Sequence, residues 1–180
     1  YTTLIDHHKT AIEDLENFEH ENLELILSEE ESGAVLTWKR FRTEEVPMLL
    51  RSIQDRDLWK FELPDTRAIH AYIQSWPYSF ESFEAMERLL AYESEEREAI
   101  CRQGRALLRA KDMQVETLTR PAGNLVELDG YEVELVNCPG WLASEVGEVL
   151  AERNTFAITY FDVGLKRIFS LRSKKGGIDV

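Results

Sequence analysis

Residues 3–27, TLIDHHKTAIEDLENFEHENLELIL, decide how the fold begins. Residues 3–5 read as the end of a buried strand, a polar helix is expected near 10–20, and 23–27 is an apolar run of strand length. Working outward, Ser28-Glu29-Glu30-Glu31 matches a capping box and predicts a helix with Val35, Trp38 and Phe41 on one face. The next helix is expected to begin near Thr43, with Pro47 in its first turn, where a missing amide does no harm. Its Val46, Leu49, Leu50 and Ile53 keep helical spacing and lead into Gln54-Asp55-Arg56-Asp57. Strand, helix, strand, helix predicts an α/β fold with a parallel sheet and flanking helices. Chemistry in such sheets gathers at the carboxyl ends of the strands, and Asp6-His7-His8 lies at one.

The middle of the chain reads as helical. Asp65 can cap a helix carrying Ile69, Tyr72 and Ile73, and Ser79 can start another carrying Phe80, Phe83, Leu89 and Leu90. A long helix is expected from Glu93 to about Leu118, acidic early and basic late, an order that complements the helix dipole. Its thin apolar face marks a partly exposed connector. Arg120-Pro121-Ala122-Gly123-Asn124 should break it. Asp129-Gly130 between alternating segments then signals a hairpin of 125–128 with 131–136, which Pro139-Gly140 ends. A helix over 142–152 and strands over 156–161 and 166–171 complete a mixed second lobe.

The 180 residues are 43% hydrophobic and 31% charged, as in a globular protein. The net charge of −13, from 34 acids against 21 bases, repels long polyanions and argues against coating duplex DNA. A small anionic substrate is compatible with it, since a metal ion or a local basic patch reverses the field in a cleft. Cys101 and Cys138 suggest neither a disulfide framework nor a zinc pair, which favours a reduced, cytoplasmic setting. Neither a membrane span nor a signal peptide is expected. Both ends read as cut within apolar patterns, as in a fragment of a longer protein.

Three features can carry chemistry. Asp6, His7 and His8 offer imidazole and carboxylate ligands suited to manganese, iron or zinc; the alternative is a polar loop with a carboxylate bonded to an imidazole. Adjacent side chains leaving a strand should point opposite ways, one to metal and one to substrate. Asp55 and Asp57 flank Arg56; Asp55 can give a hard oxygen ligand, or the pair can close a helix end. In Ser170-Leu171-Arg172-Ser173-Lys174-Lys175-Gly176-Gly177, arginine can grip a phosphate and glycines admit an anion, against a plain basic strand end and turn. His20 reads as solvated, His70 as structural, Trp38, Trp59, Trp76 and Trp141 as core, and Cys101 as a structural thiol.

Together these pieces resemble the DHH phosphoesterase superfamily, which includes RecJ-like exonucleases, oligoribonucleases, cyclic-dinucleotide phosphodiesterases and family II pyrophosphatases. The resemblance lies in Leu4-Ile5-Asp6-His7-His8-Lys9-Thr10-Ala11, in Ser32-Gly33-Ala34, in Ile53-Gln54-Asp55-Arg56-Asp57-Leu58-Trp59, and in Asn137-Cys138-Pro139 with the Ser170–Ser173 strand. It implies a partial catalytic lobe over 1–92, a connector helix over 93–120 and a partial substrate-binding lobe over 121–180, with a cleft between lobes. It implies two divalent metals, usually manganese, with magnesium or another divalent ion possible. On the matching positions His7 is the expected metal ligand, Asp6 orients it or touches metal, and His8 faces substrate or the second metal. Asp55 is the expected ligand aspartate, Asp57 the fallback, and Arg172 with Ser173 clamps a substrate phosphate. The expected substrate is a short nucleic acid or small phosphate compound, and a homodimer is possible. The family's opening aspartate motifs belong before Tyr1 and its Gly-rich histidine loop after Val180, so the segment alone is expected to be weak or inactive. A non-catalytic binding module and a pyrophosphate- or polyphosphate-cleaving enzyme are the alternatives.

Overall fold

The computed structural model describes residues 1–91, 94–120, 124–174, 176–178 and 180. Expectations resting on Glu93, on Pro121-Ala122-Gly123 and on Lys175 lie outside these residues. The fold is mixed α/β: the described residues form seven α-helices and two sheets, one a parallel pair and one of four strands. The chain divides into two compact units, Tyr1–Leu108 and Arg109–Val180. No helix among the described residues is long and apolar enough to cross a membrane.

In the first unit, β1 (Thr2–Asp6) pairs in parallel with β2 (Leu23–Leu27), Asp6 opposite Leu27. The crossover holds α1 (Lys9–Leu15), which is shorter than the periodicity suggests. Beyond Leu15 the run Glu16, Asn17, Glu19, Glu21 offers no apolar stripe to bury, and a short helix survives in water only through packing. Helix α2 (Gly33–Phe41) starts later than expected. Its cap is Ser32, whose hydroxyl accepts from the Val35 amide, while Ser28 accepts from Glu30 in the preceding turn. Val35 is buried, but Phe41 at the helix end is 61% exposed and leaves the face predicted for it.

Helix α3 (Met48–Asp57) likewise begins after Pro47 rather than near Thr43. Pro47 is its capping residue, at φ −58 and ψ 150, an extended geometry that ends the preceding segment. Helices α4 (Thr66–Gln74) and α5 (Phe80–Leu90) fall where the pattern put them. Ser79 caps α5 by accepting from the Ser82 amide. Asp65 precedes α4 in a left-handed conformation, makes no capping bond, and instead receives Arg105 Nη1 at 2.7 Å. Leu49, Ile69, Tyr72, Met86, Leu90, Ile100 and Cys101 form the core of this unit. Ile100 and Cys101 belong to the long helix α6 (Glu95–Thr119), whose early part thus packs into the core of this unit. Burial pushes the Cys101 thiol up, as a structural cysteine should behave.

In the second unit, β3 (Asn124–Leu128), β4 (Tyr131–Asn137), β5 (Ala157–Val163) and β6 (Lys166–Arg172) form a sheet in that order. The β3–β4 hairpin turns at Asp129 (φ 50) and Gly130 (φ 79), the two positive angles a tight hairpin turn demands. The β4–β5 pair is parallel, and its crossover holds α7 (Ala143–Ala151). Val136, Leu142, Val146, Leu150 and Ala157 pack together with Val115 of α6. Trp76 and Trp141, expected in the core, are 48% and 54% exposed. Trp76 lies in the bend after α4, and Trp141 in a 3-10 turn over Gly140–Leu142.

Candidate functional site

The parallel β1–β2 pair ends at Asp6, and the chain turns there. The His7 and His8 amides donate to Asp6 Oδ1 at 2.7 and 2.9 Å, and His8 Nδ1 meets the same oxygen at 2.7 Å. The His8 amide first, then its ring and the His7 amide, hold the Asp6 carboxyl down at about 2, against an ordinary 3.8. The Asp6 carboxylate thus meets the ring of His8 and only the amide of His7. A carboxylate on Nδ1 favours the tautomer that presents His8 Nε2 as an acceptor. The two rings do not point opposite ways: they lie side by side, centroids 4.4 Å apart and inclined by 40°. Alternation fails because strand pairing stops at Asp6 and its carboxylate curls the next two residues around itself.

This cluster gives a pH prediction. A depressed carboxyl stabilises the fold above its unfolded value of 3.8 and loses that contribution as pH falls from there toward 2. NMR titration of the Asp6 carboxyl should show a midpoint near 2 in the wild type. His8→Ala keeps the amide but removes the ring, so the midpoint should rise part of the way back. A wild-type midpoint at 3.8 would contradict this arrangement.

His7, only 15% exposed at its side chain, lies against the start of α2: a Cβ added at Gly33 would stand 3.7 Å from His7 Cδ2. The preceding residue, Ser32, is fully buried and gives its amide to Gln54 Oε1 at 2.9 Å. That bond ties the start of α2 to the last turn of α3, whose final residue is Asp57. The result is His7 Nε2 3.4 Å from Asp57 Oδ2. The gap is longer than a good N–H···O hydrogen bond. Two ligands about 2.1 Å from one cation, at about 90–109° to each other, stand roughly 3.0–3.4 Å apart. The observed pair meets that spacing.

Asp55 is engaged elsewhere. It is buried at 6% exposure, and its Oδ1 accepts from the Glu62 amide at 2.8 Å. Its Oδ2 accepts from the Leu63 amide at 3.0 Å and the Thr66 hydroxyl at 2.6 Å. Burial alone would raise its pKa, but Thr66 and the two amides outweigh it and hold the carboxyl below the usual range. Of the two candidate aspartates, Asp57 is the one brought to His7. Among the described residues no three His, Cys, Asp or Glu side chains are grouped as one cation's ligands. Among the described residues His7 and Asp57 are thus two possible donors side by side, with no third His, Cys, Asp or Glu grouped with them.

In the second unit Arg172 closes β6. Its stem runs past Gly147 of α7, where an added Cβ would lie 3.3 Å from Arg172 Cβ, and its Nη1 donates to the Ser144 carbonyl at 3.3 Å. Ser173 follows the strand and is half-buried. Ser32 and Gln54 lie in motifs legible in the sequence, but their bond to each other and the Thr66–Asp55 bond join residues far apart along the chain and leave no local pattern.

The matched relative is an uncharacterized protein of Acanthamoeba polyphaga mimivirus, 33% identical over 82 residues. The match covers 45% of this chain and 19% of the viral protein. No family model matches the chain. No solved structure matches it.

Proposed function

We propose that the chain is part of a divalent-metal-dependent phosphoesterase of the DHH class, acting on short oligonucleotides or small nucleotides. The observation that carries this reading is the His7–Asp57 pair at the carboxyl end of β1, with the spacing of two ligands to one ion. Manganese is the expected metal, with magnesium or another divalent ion as substitutes. A bound ion would supply Lewis-acid stabilisation of phosphoryl oxygens and activation of water. His7 and Asp57 would hold it, with His7 set by its packing against the start of α2. His8, 71% exposed and fixed through Nδ1 by Asp6, presents Nε2 for proton transfer at a substrate oxygen. Arg172 and Ser173 keep the phosphate-binding role the resemblance implies. A guanidinium has five N–H donors, so the bond to Ser144 is compatible with a phosphate contact.

The second reading is a module that binds nucleotide without turnover, and the two-donor set favours it. One experiment separates the two. The intact protein is incubated with manganese and a dinucleotide, a 3′,5′-bisphosphate nucleotide, pyrophosphate or single-stranded DNA. Cleavage of the dinucleotide or the bisphosphate is expected. Cleavage of pyrophosphate alone would move the activity to the pyrophosphatase branch. Binding with no cleavage of any substrate would reject the enzyme reading.

A further inference from the structure

The four-stranded sheet of the second unit ends on β6, and that edge lacks the usual guards. Edge strands are ordinarily kept from pairing by a charge, a proline or a bulge within them. β6 pairs with β5 in unbroken register, from Ala157 opposite Arg172 to Val163 opposite Lys166, so it has no bulge. Its middle, Ile168-Phe169-Ser170-Leu171, holds neither a charge nor a proline. Arg172 lies along α7, and strand alternation puts Ile168 on that face and Phe169 and Leu171 on the other. All three apolar side chains are exposed, Phe169 by 54%, so both faces offer apolar surface beside the unpaired edge. The charges gather at the strand's ends. Residues 163–174 hold four bases, Lys166, Arg167, Arg172 and Lys174, and no acid, in a chain of net charge −13. Arg167 is paired with Asp162 and Arg172 reaches the Ser144 carbonyl, so exposed Lys166 and Lys174 set the field at the two ends.

We infer that the β6 edge takes up an extended peptide strand of a partner protein, apolar in its middle and acidic at its ends, which continues the sheet. In strand addition of this kind, backbone hydrogen bonds give the affinity and alternate side chains the selectivity. Bases at both ends of β6 meet acids at both ends of the incoming strand, whichever way it runs. A second copy of this chain fits less well. Two β6 strands in antiparallel register about Phe169 would set Lys166 against Arg172 twice, and like charges directly opposite destabilise a pair. The β3 edge of another copy, with Glu127, could meet β6, but that contact is head-to-tail. It builds rings or filaments in which every copy adds a net charge of −13. His7 and Asp57 take no part in this binding.

The test is fluorescence anisotropy of the intact protein with a labelled peptide, Val-Thr-Val-Thr-Val flanked by two glutamates at each end. A twin with lysines in place of the glutamates should bind roughly tenfold more weakly, the scale of two cross-strand charge pairs reversed in sign. A third peptide, glutamate-ended but N-methylated at every second residue, keeps the charge and loses the backbone donors; its binding should disappear. The double variant Lys166→Glu with Lys174→Glu should reverse the preference and favour the lysine-ended peptide. Hydrogen exchange should show amides of residues 166–172 gaining protection when the glutamate-ended peptide is added. No binding by that peptide, equal binding of the two charge types, or binding that survives N-methylation would overturn the inference. Sedimentation of the protein alone covers the competing occupant: association of copies, with the 166–172 amides protected before any peptide is added, would assign the edge to a second copy and overturn it as well.

Discussion

His7→Ala should lower Mn2+ affinity by at least about a hundredfold and take manganese-dependent hydrolysis down with it. Removal of a group that only orients a ligand already costs about 10–100-fold, and loss of a ligand should reach or exceed the top of that range. Asp57→Ala is expected to match it. If both donors serve one ion, the effects will not add: the double variant should be little worse than either single one. Two independent surface residues would give additive and small changes. His7→Gln and Asp57→Asn control for packing, because each retains the size of the side chain while weakening the donor. Full Mn2+ affinity in both alanine variants would remove these residues from the site.

Gly104→Ala should destabilise the protein by about 3 kcal/mol, the upper part of the range for forced overpacking. A Cβ at Gly104 would stand 2.0 Å from the Ala68 carbonyl oxygen and 2.6 Å from its carbon. These are backbone atoms of α4, so no rotamer change relieves the contact. The sign is the informative part. In an exposed helix the same change would stabilise by about 1 kcal/mol through helix propensity. Here α6 and α4 must separate, and the Ile69–Ile100–Cys101 packing opens with them. A thermal melt should fall by roughly 6–12 °C. An unchanged or raised melting temperature would show that the two helices do not pack this closely.

Much of the architecture could be read from local pattern. The β2 run, the Asp129-Gly130 hairpin and the Ser79 cap depend on neighbours within a few residues, and all three stand where the sequence placed them. Errors came where a distant partner decided the matter. Ser28 satisfies a capping pattern as well as Ser32 does, yet Ser32 is the cap because Gln54 pins its amide across 22 positions. Asp55 and Asp57 look interchangeable along the chain. Only a loop with left-handed Trp59 and Phe61 consumes one and releases the other, and no glycine announces that turn. His7 and His8 were expected on opposite sides because strand alternation was carried past Asp6, where the pairing ends.

On the proposed reading, His7 and Asp57 grip one divalent ion together. Crystals of the intact protein grown with manganese, measured for anomalous scattering, test it most directly. An anomalous peak is expected between His7 Nε2 and Asp57 Oδ2, about 2.0–2.2 Å from each. A well-occupied peak elsewhere, with these two atoms left in simple contact, would contradict it.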